Sequence, residues 1–341
     1  MVAAYLERGS VPSVVTEGGG PSGILGVMSP AQAPAAQRWL RRTALAALLT
    51  NVMIVFTGGL VRVTGSGLGC SDWPTCDGTN ITPIGGDHAG WQAGVEFGNR
   101  LLTFVVLAAA VAVWVQVRRT RPHHRSVVVT AWILPLGVVA QAVLGGITVL
   151  TGLSPSTVAA HFLLSMVLIA AAVVLYERVQ PRPPEAPPGR GLQLATSALC
   201  VVAFAVLVLG TVVTGAGPHG GDLGAPRFGV DVRTAALAHA DAVWMLVGLT
   251  VALVAVTWRS GPPRLRTAVR ALLVIELAQG ALGYIQYVLG IPPALVALHI
   301  LGASLMWVAA VSVWIRARPL HLDDPAGDAT IEPASDVVAS P

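Results

Sequence analysis

Residues 141–161, QAVLGGITVLTGLSPSTVAAH, recur as residues 279–299, QGALGYIQYVLGIPPALVALH, with nine identities in 21 ungapped positions. Each copy runs from an apolar segment through a Gly/Pro turn into a second apolar segment that contains a histidine. A shorter repeat pairs VRVTGSG at 61–67 with TVVTGAG at 211–217. The chain is therefore interpreted as two equivalent halves of the same orientation, as in parallel membrane repeats.

The composition places this chain in a membrane. Its 341 residues are 54% hydrophobic and only 11% charged, whereas soluble domains are about 25% charged. Eight apolar segments have the length that crosses a bilayer, and helices are the form that can span it. We predict an all-α polytopic fold with eight transmembrane helices, arranged as two tandem four-helix bundles related by pseudo-two-fold symmetry. The segments lie near 40–61, 95–117, 127–150, 157–178, 192–213, 234–257, 267–289 and 293–315.

The arginines predict the orientation. Seventeen of the 21 basic residues fall in the two termini and in the loops on one side of the membrane. The positive-inside rule then places both termini in the cytoplasm of a multi-pass protein of the cell membrane. The predicted units are a disordered tail (1–37), an N-terminal four-helix half (38–180), a cytoplasmic linker (181–191), a C-terminal half (192–318) and a second disordered tail (319–341).

Two of the three cysteines, Cys70 and Cys76, lie in one loop on the opposite, oxidising side of the membrane. A disulfide that closes this loop is the first interpretation, because disulfides persist in such compartments. A redox-active dithiol remains open as an alternative. Zinc would need further thiolate or imidazole ligands, and Cys200 lies inside a membrane segment, where we expect it to be a small packing residue.

Three histidines, His161, His239 and His299, lie inside membrane segments, where an ionisable side chain is costly. A single such histidine is most simply a packed, hydrogen-bonded residue. Three of them at matching depth favour a shared function. His239 and His299 start from the same side on two helices of one bundle, as bis-histidine ligation of a haem iron requires. Zinc is less well supported, although Asp241 remains a candidate third ligand.

The N-terminal half has a different set of polar residues at the equivalent depth. Asn99 stands where the repeat predicts a histidine, and Glu96, Asn99 and Arg100 share one helical face at i, i+3 and i+4. One interpretation is an ion pair between Glu96 and Arg100 that satisfies itself. The other is a haem site with His161 as its single histidine, Glu96 beside it, and Arg100 on a haem propionate.

Taken together, GGLVRVTGSGLGCSDWPTC, VEFGNR, QAVLGGITVLTGL with its membrane histidine, TGAGPHGGD, His239 and His299 resemble the haem A synthase family. The resemblance covers residues 38 to 316. It implies oxidation of a ring methyl of haem O to the formyl group of haem A, for cytochrome oxidase assembly. It also implies haem b on His239 and His299, substrate haem O at the site of Glu96 and His161, and catalysis by Glu96, with Cys70 and Cys76 as the family's cysteine pair.

One position departs from the family pattern. The family has Glu-x-x-His-Arg where this chain has Asn99 in place of the histidine. An amide oxygen is a poor iron ligand, so the resemblance predicts either a five-coordinate substrate haem or a contribution from His88 in the neighbouring loop.

Other functions and partners follow from the same residues. A dihaem electron-transfer cytochrome and a transporter with internal repeats are the alternatives. Membrane lipid and haem O are expected partners, a haem O synthase, oxidase assembly factors and a second copy of the chain are candidates, and nucleic acid is not expected. Gln141 and Gln279, matched in the repeat, are expected to bond across helices or to cap a free carbonyl group. Glu276, near the middle of its segment, is expected to be hydrogen-bonded or part of a proton path.

Overall fold

The computed structural model describes residues 33–83, 90–181 and 188–319. Over these ranges the chain forms eight α-helices and no β-strand, and all eight are long and apolar enough to cross a membrane. The predicted fold class is confirmed. The helices are α1 (Ala33–Val63), α2 (Trp91–Thr120), α3 (Arg125–Leu150), α4 (Pro155–Val179), α5 (Arg190–Ala216), α6 (Val232–Ser260), α7 (Pro263–Val288) and α8 (Pro293–Arg316).

The helix ends differ slightly from the predicted boundaries. α1 begins at Ala33 and α5 at Arg190, a few residues before the boundaries expected at 38 and 192. Both helices start after stretches that contain Pro and Gly, and the first residues of each helix are compatible with helical geometry. The rest of the two predicted tails lies almost wholly outside the described residues.

The helices form two closed rings. In the N-terminal half α1 contacts α2, α2 contacts α3, α3 contacts α4, and α4 contacts α1; helices α5 to α8 repeat this pattern. The halves meet through α1 with α8, α4 with α5, and α4 with α8. Exchanging the halves leaves this set of contacts unchanged. The division into two four-helix halves and the pseudo-two-fold axis remain predictions.

The outer surfaces of the rings are apolar. Phe104, Val201 and Trp244 are 68%, 69% and 73% exposed. Large side chains that stand this far out along eight consecutive helices are suited to a hydrocarbon solvent rather than to water.

The turns between α3 and α4 and between α7 and α8 have the same backbone conformation. Gly152 and Leu153 have φ of 62° and 60°, and Gly290 and Ile291 have φ of 73° and 60°. Two successive left-handed residues reverse the chain within a few residues, and a glycine takes the first position without a Cβ penalty. The repeat seen in the sequence therefore encodes one tight connection used twice. Both turns lie at the same end of the molecule as the Cys70–Cys76 loop, which we call the disulfide end; the other is the arginine-rich end.

At the disulfide end, one arginine joins the two halves. Arg62, in the last turn of α1, donates from Nε to the carbonyl oxygen of His219 at 2.6 Å and from Nη2 to that of Thr214 at 2.7 Å. The backbone N–H of Gly67 donates to the carbonyl oxygen of Gly221 at 2.8 Å. The loops that follow α1 and α5 are thus bonded to each other.

Deeper in the molecule, α8 joins the halves to each other. The indole Nε1 of Trp307 donates to the carbonyl oxygen of Met166 in α4 at 2.7 Å, and both residues are buried. Near the arginine-rich end, Arg316 binds Glu177 of α4 with an Nη2–Oε1 distance of 2.7 Å. The Glu177 side chain is only 2% exposed, so this carboxylate needs a cationic partner.

We therefore predict that Arg316→Ala destabilises the contact between the halves. Removing one member of a buried ion pair costs up to about 3–5 kcal/mol, and here the variant loses the bonds from Arg316 to Glu177 that join α8 to α4. The midpoint of thermal unfolding in detergent should fall clearly below that of the parent protein. Arg119→Ala, which removes an exposed arginine near the end of α2, is the matched control and should leave the midpoint unchanged. Equal midpoints for the two variants would contradict this role of Arg316.

Candidate functional site

Each membrane histidine packs against a glycine of the preceding helix. A Cβ built on Gly145 in α3 would lie 3.2 Å from Cε1 of His161. A Cβ on Gly210 or Gly283 would lie 3.3 Å from Cε1 of His239 or His299, respectively. Any larger residue would compress the ring, so glycine keeps the space that the imidazole occupies. The three imidazoles thus share one kind of packing contact, and their matching depth stays a prediction.

The imidazoles have unused nitrogens. Nδ1 of His161 and Nδ1 of His299 are buried without a hydrogen-bond partner, whereas Nδ1 of His239 lies 3.1 Å from the carbonyl oxygen of Val206. None of the three Nε2 atoms bonds to any part of the chain that the structure describes. Buried polar groups are nearly always paired, so the two unpaired Nδ1 atoms of His161 and His299 mark these imidazoles as candidate ligand-binding groups.

The two repeated glutamines fix the histidine helices, as expected. Nε2 of Gln141 donates to the backbone carbonyl oxygen of His161, and Nε2 of Gln279 donates to that of His299, each at 3.0 Å. Both bonds run between the two helices of a repeat. They hold the turn of the helix that carries the imidazole against the helix that carries its facing glycine.

In the N-terminal half, Asn99 is positioned by α1. Oγ1 of Thr57 donates to Oδ1 of Asn99 at 2.7 Å, and a Cβ on Gly58 would lie 4.0 Å from the Asn99 amide nitrogen. The amide oxygen of Asn99 therefore already accepts a hydrogen bond from Thr57, and the amide nitrogen is the polar atom that remains available to a ligand. An amide N–H₂ group donates hydrogen bonds and does not ligate iron, so His161 is the one imidazole at this site among the described residues.

The Cys70–Cys76 loop contains the disulfide that the sequence predicted, with an S–S distance of 2.01 Å. The peptide bond between Trp73 and Pro74 is cis. The Trp73 ring occupies the space beside Gly146, so that no Cβ fits there. Since Gly146 follows the glycine that faces His161, the loop lies next to the N-terminal imidazole.

Farther along the same loop, Asp77 closes a tight turn. Its Oδ1 accepts the backbone N–H of Asn80 at 2.6 Å and that of Thr79 at 2.9 Å. These donors, with the side chains of the same two residues, hold the pKa of the Asp77 carboxyl well below its usual range. The loop is thus ordered by its own polar groups beyond the disulfide.

Glu96 and Arg100 join this loop to α2. Oε2 of Glu96 accepts the backbone N–H of Cys70 at 2.7 Å, and its Oε1 accepts Nη2 of Arg100 at 2.7 Å. Glu96 is only 5% exposed. The self-satisfied ion pair that the sequence suggested is therefore present, and it includes a backbone group of the disulfide loop.

Arg100 also donates to three carbonyl oxygens of the loop. The distances are 3.0 Å to Thr75, 3.0 Å to Asp72 and 3.3 Å to Cys70. A guanidinium has five N–H groups, and these bonds, together with those to Glu96, leave one N–H on Nη1. In this arrangement Arg100 has one N–H group available for a further acceptor such as a propionate.

The remaining sequence-based candidates are distributed as follows. Asp241 is exposed on α6, and His88 lies outside the described residues. Within those residues no group of three His, Cys, Asp or Glu side chains is arranged to hold a metal ion. The donor set in the C-terminal half is thus the pair His239 and His299, which lie within electrostatic range of each other.

These donors fit a haem better than a bare metal ion. Imidazole nitrogens without protein partners, facing glycines inside a helix bundle, match the needs of a planar macrocycle ligated along its axis. Among the described residues, the membrane segments hold two imidazoles in the C-terminal half and one in the N-terminal half. The residues that sequence reasoning missed are Thr57, Gly210 and Val206. Gly145 and Gly283 are identical positions of the repeat and could be noticed in the sequence. Their contact with the imidazoles could not be inferred from it.

Residues 41–219 match the family described as cytochrome oxidase assembly protein, and this segment is more than half of the chain. The chain belongs to the cytochrome oxidase assembly protein family. The family segment includes the disulfide loop, Glu96, Asn99, Arg100 and His161, whereas His239 and His299 lie beyond it.

Relatives of this family member carry the same functional name. The chain is similar to proteins named heme A synthase from Lysinibacillus sphaericus, 34% identical over 143 residues, and Methylobacterium nodulans, 36% identical over 146 residues. A third, from Listeria welshimeri, is 28% identical over 149 residues. The alignments cover 40%, 40% and 41% of this chain and 44%, 40% and 45% of the relatives, so the chain spans less than half the length of the relatives it matches.

We predict that Gly283→Leu displaces the imidazole of His299 and lowers the haem content of the purified protein. Overpacking of this kind costs about 1–3 kcal/mol. Gly280→Leu, on the same helix, is the matched control, because a Cβ there meets nothing within 4 Å. Pyridine haemochrome assay of both variants measures the difference. Full haem content in Gly283→Leu would contradict the proposed contact.

Proposed function

We propose that this protein is a haem A synthase, which oxidises a ring methyl of haem O to a formyl group. Support comes from membership of the cytochrome oxidase assembly protein family and from the name of its relatives. The observation that carries the proposal is the set of three half-buried imidazoles that each face a glycine, two of which have an Nδ1 atom that is buried without a hydrogen-bond partner.

In this proposal the C-terminal half binds haem b through His239 and His299. The Val206 carbonyl, 3.1 Å from Nδ1, orients the ring of His239 so that Nε2 faces the ligand. Gln279 holds the helix turn that carries His299. Bound there, haem b would supply one-electron redox chemistry.

The N-terminal half would receive haem O on His161. Because Asn99 presents an amide N–H₂ group rather than an imidazole, the described residues provide no second imidazole for the face of the site opposite His161. Thr57 prevents the amide oxygen from turning toward that face. The chain thus differs between its halves in the number of imidazoles it offers.

Glu96 is proposed as the catalytic residue. It lies on α2 one turn from Asn99, where a carboxylate can stabilise positive charge that develops on the substrate or accept a proton from it. Its bonds to the Cys70 N–H and to Arg100 keep the carboxylate in one position. Arg100 also joins the disulfide loop to the helix that carries Glu96, and it has one N–H left for a propionate.

We further propose that the disulfide end faces away from the cytoplasm and that both termini are cytoplasmic. The excess of arginine at the other end supports this orientation, and an even number of spanning helices puts both termini on one side. A haem O synthase, oxidase assembly factors and a second copy of the chain are proposed as protein partners.

We predict that the purified protein contains haem b, converts added haem O to haem A when given a one-electron reductant and oxygen, and loses this conversion in Glu96→Gln. General acid–base or charge stabilisation by one side chain contributes about 100-fold or more, so product should fall by at least that factor while bound haem is retained. Extracted haems are separated by chromatography and identified by mass.

The outcomes distinguish the candidate functions. Unmodified haem b in both halves would favour an electron-transfer cytochrome, and colourless protein would favour a transporter. Normal haem A output from Glu96→Gln would remove Glu96 from the chemistry. The Cys70–Cys76 disulfide should remain intact in the variant, as checked by thiol alkylation, so that loss of product is not attributed to an open loop.

A second prediction concerns Asn99. Asn99→His should add a second imidazole and convert the haem in the N-terminal half from a high-spin to a low-spin species, seen by electron paramagnetic resonance. Asn99→Leu, which adds no ligand, should leave it high-spin. A low-spin N-terminal haem already present in the parent protein would contradict the single-imidazole site.

A further inference from the structure

Glu276 is a buried carboxylic acid near the middle of the C-terminal half that the proposed reaction does not use. It is 3% exposed. Oε1 lies 2.9 Å from Oγ1 of Thr250 in α6, and Oε2 is buried without a partner. A carboxyl group in this position carries a large desolvation cost, so a structural reason or a function must maintain it.

The N-terminal half shows that the fold does not need a carboxylate there. The repeat offset of 138 places Val138 at the position equivalent to Glu276, and Ala110 follows Asn99 by eleven residues as Thr250 follows His239. Val138 is 4% exposed and Ala110 is fully buried. The same helix contacts are therefore made with apolar residues in one half and with an acid and a hydroxyl in the other.

The bond to Thr250 can accommodate both charge states of the acid. When the carboxylate is ionised, the Thr250 hydroxyl donates to it. When the carboxyl group is protonated, it can donate to Thr250 Oγ1, whose own proton then goes to the carbonyl oxygen of Leu246 at 3.0 Å. Since one hydroxyl has one proton and two acceptors within reach, neither state leaves the contact unsatisfied.

Glu276 lies below the imidazoles of its own half. It precedes Gly283, the glycine that faces His299, by seven residues, and Thr250 follows His239 by eleven. At about 1.5 Å per residue, the acid is about 10–16 Å along the bundle from the ligand histidines. Glu276 is therefore not in contact with the histidines, but it is close enough for its proton affinity to change when the charge between them changes.

Few other charged groups face this position. On α6 and α8 the titratable side chains nearest in depth are His239 and His299, while Asp241 is exposed. On α7 itself, Arg270 is exposed and lies over the Trp258 ring at 4.3 Å. Within the described residues Glu276 is thus the one carboxyl group that lies inside the bundle formed by α5 to α8.

We propose that Glu276 is a proton-binding site coupled to the oxidation state of the haem held by His239 and His299. This inference rests on the proposed function, because it requires haem b in that half. When the haem iron gains one electron from a one-electron reductant, the Glu276 carboxylate takes one proton from water. The added negative charge on the haem is then offset by the loss of the negative charge on the acid.

The expected size follows from electrostatics. One charge about 13 Å away at an effective dielectric constant of about 20 changes proton affinity roughly tenfold. The reduced state binds the proton more tightly. The midpoint potential of haem b should therefore fall as pH rises, by about 59 mV in total between two plateaus, the value of a tenfold change for one electron.

The test is redox potentiometry of the haem-loaded protein over a pH series. In the parent protein the midpoint potential of haem b should fall from one plateau to a lower one as pH rises. This fall should be lost in Glu276→Gln and in Glu276→Val, which copies Val138. Thr250→Ala, which copies Ala110 and removes a donor to the carboxylate, should move the fall to higher pH. Haem content and the thermal midpoint show that each variant is folded.

A pH dependence that persists unchanged in Glu276→Gln would come from groups such as the haem propionates and would overturn the proposal. So would a parent potential that is independent of pH. If Glu276→Gln does not fold, the Thr250→Ala shift remains the deciding measurement, and an unmoved curve overturns the proposal. Protein without haem would instead refute the proposed function, so the two failures are distinguishable.

Discussion

The contact between an imidazole ring and a facing glycine determines where this molecule can hold a ligand. In a packed helix bundle a Cβ this close to an imidazole forces the ring to shift, so the ring keeps its position when the facing residue is glycine. Gly145, Gly210 and Gly283 meet this condition for three histidines in three separate helix pairs. Glutamine bonds across two of these pairs keep the rings at a constant depth.

Around this shared frame the halves differ in their polar residues. The C-terminal half has a second imidazole, and it has a carboxyl group deep between its four helices. The N-terminal half has Asn99 and Val138 at those two positions. Such differences change ligation and charge without changing how the helices pack, because each substitution conserves the contact between neighbouring helices. In the proposed function, one architecture would thereby support one site with two imidazoles and another with one.

The disulfide loop belongs to the N-terminal half by its bonds as well as by its sequence. Arg100 donates to three of its carbonyl oxygens, and Glu96 accepts from the backbone N–H of Cys70. Irregular backbone near a membrane surface leaves many unpaired carbonyl groups, and a guanidinium with five donors can satisfy several at once. The loop and the face of α2 that carries Asn99 are consequently one rigid unit.

The sequence alone was sufficient for the eight helices, the repeat and the disulfide. Apolar length and the spacing of residues within a helix are local properties, and the bilayer permits few alternatives to a helix. Which residue meets which across two helices is not local. The partners of Arg100, Asn99 and Glu276 depend on helix rotation and on loop conformation. Only the tertiary structure decided these pairings, because a helical period specifies the face on which a side chain lies and not the neighbour that the face will meet.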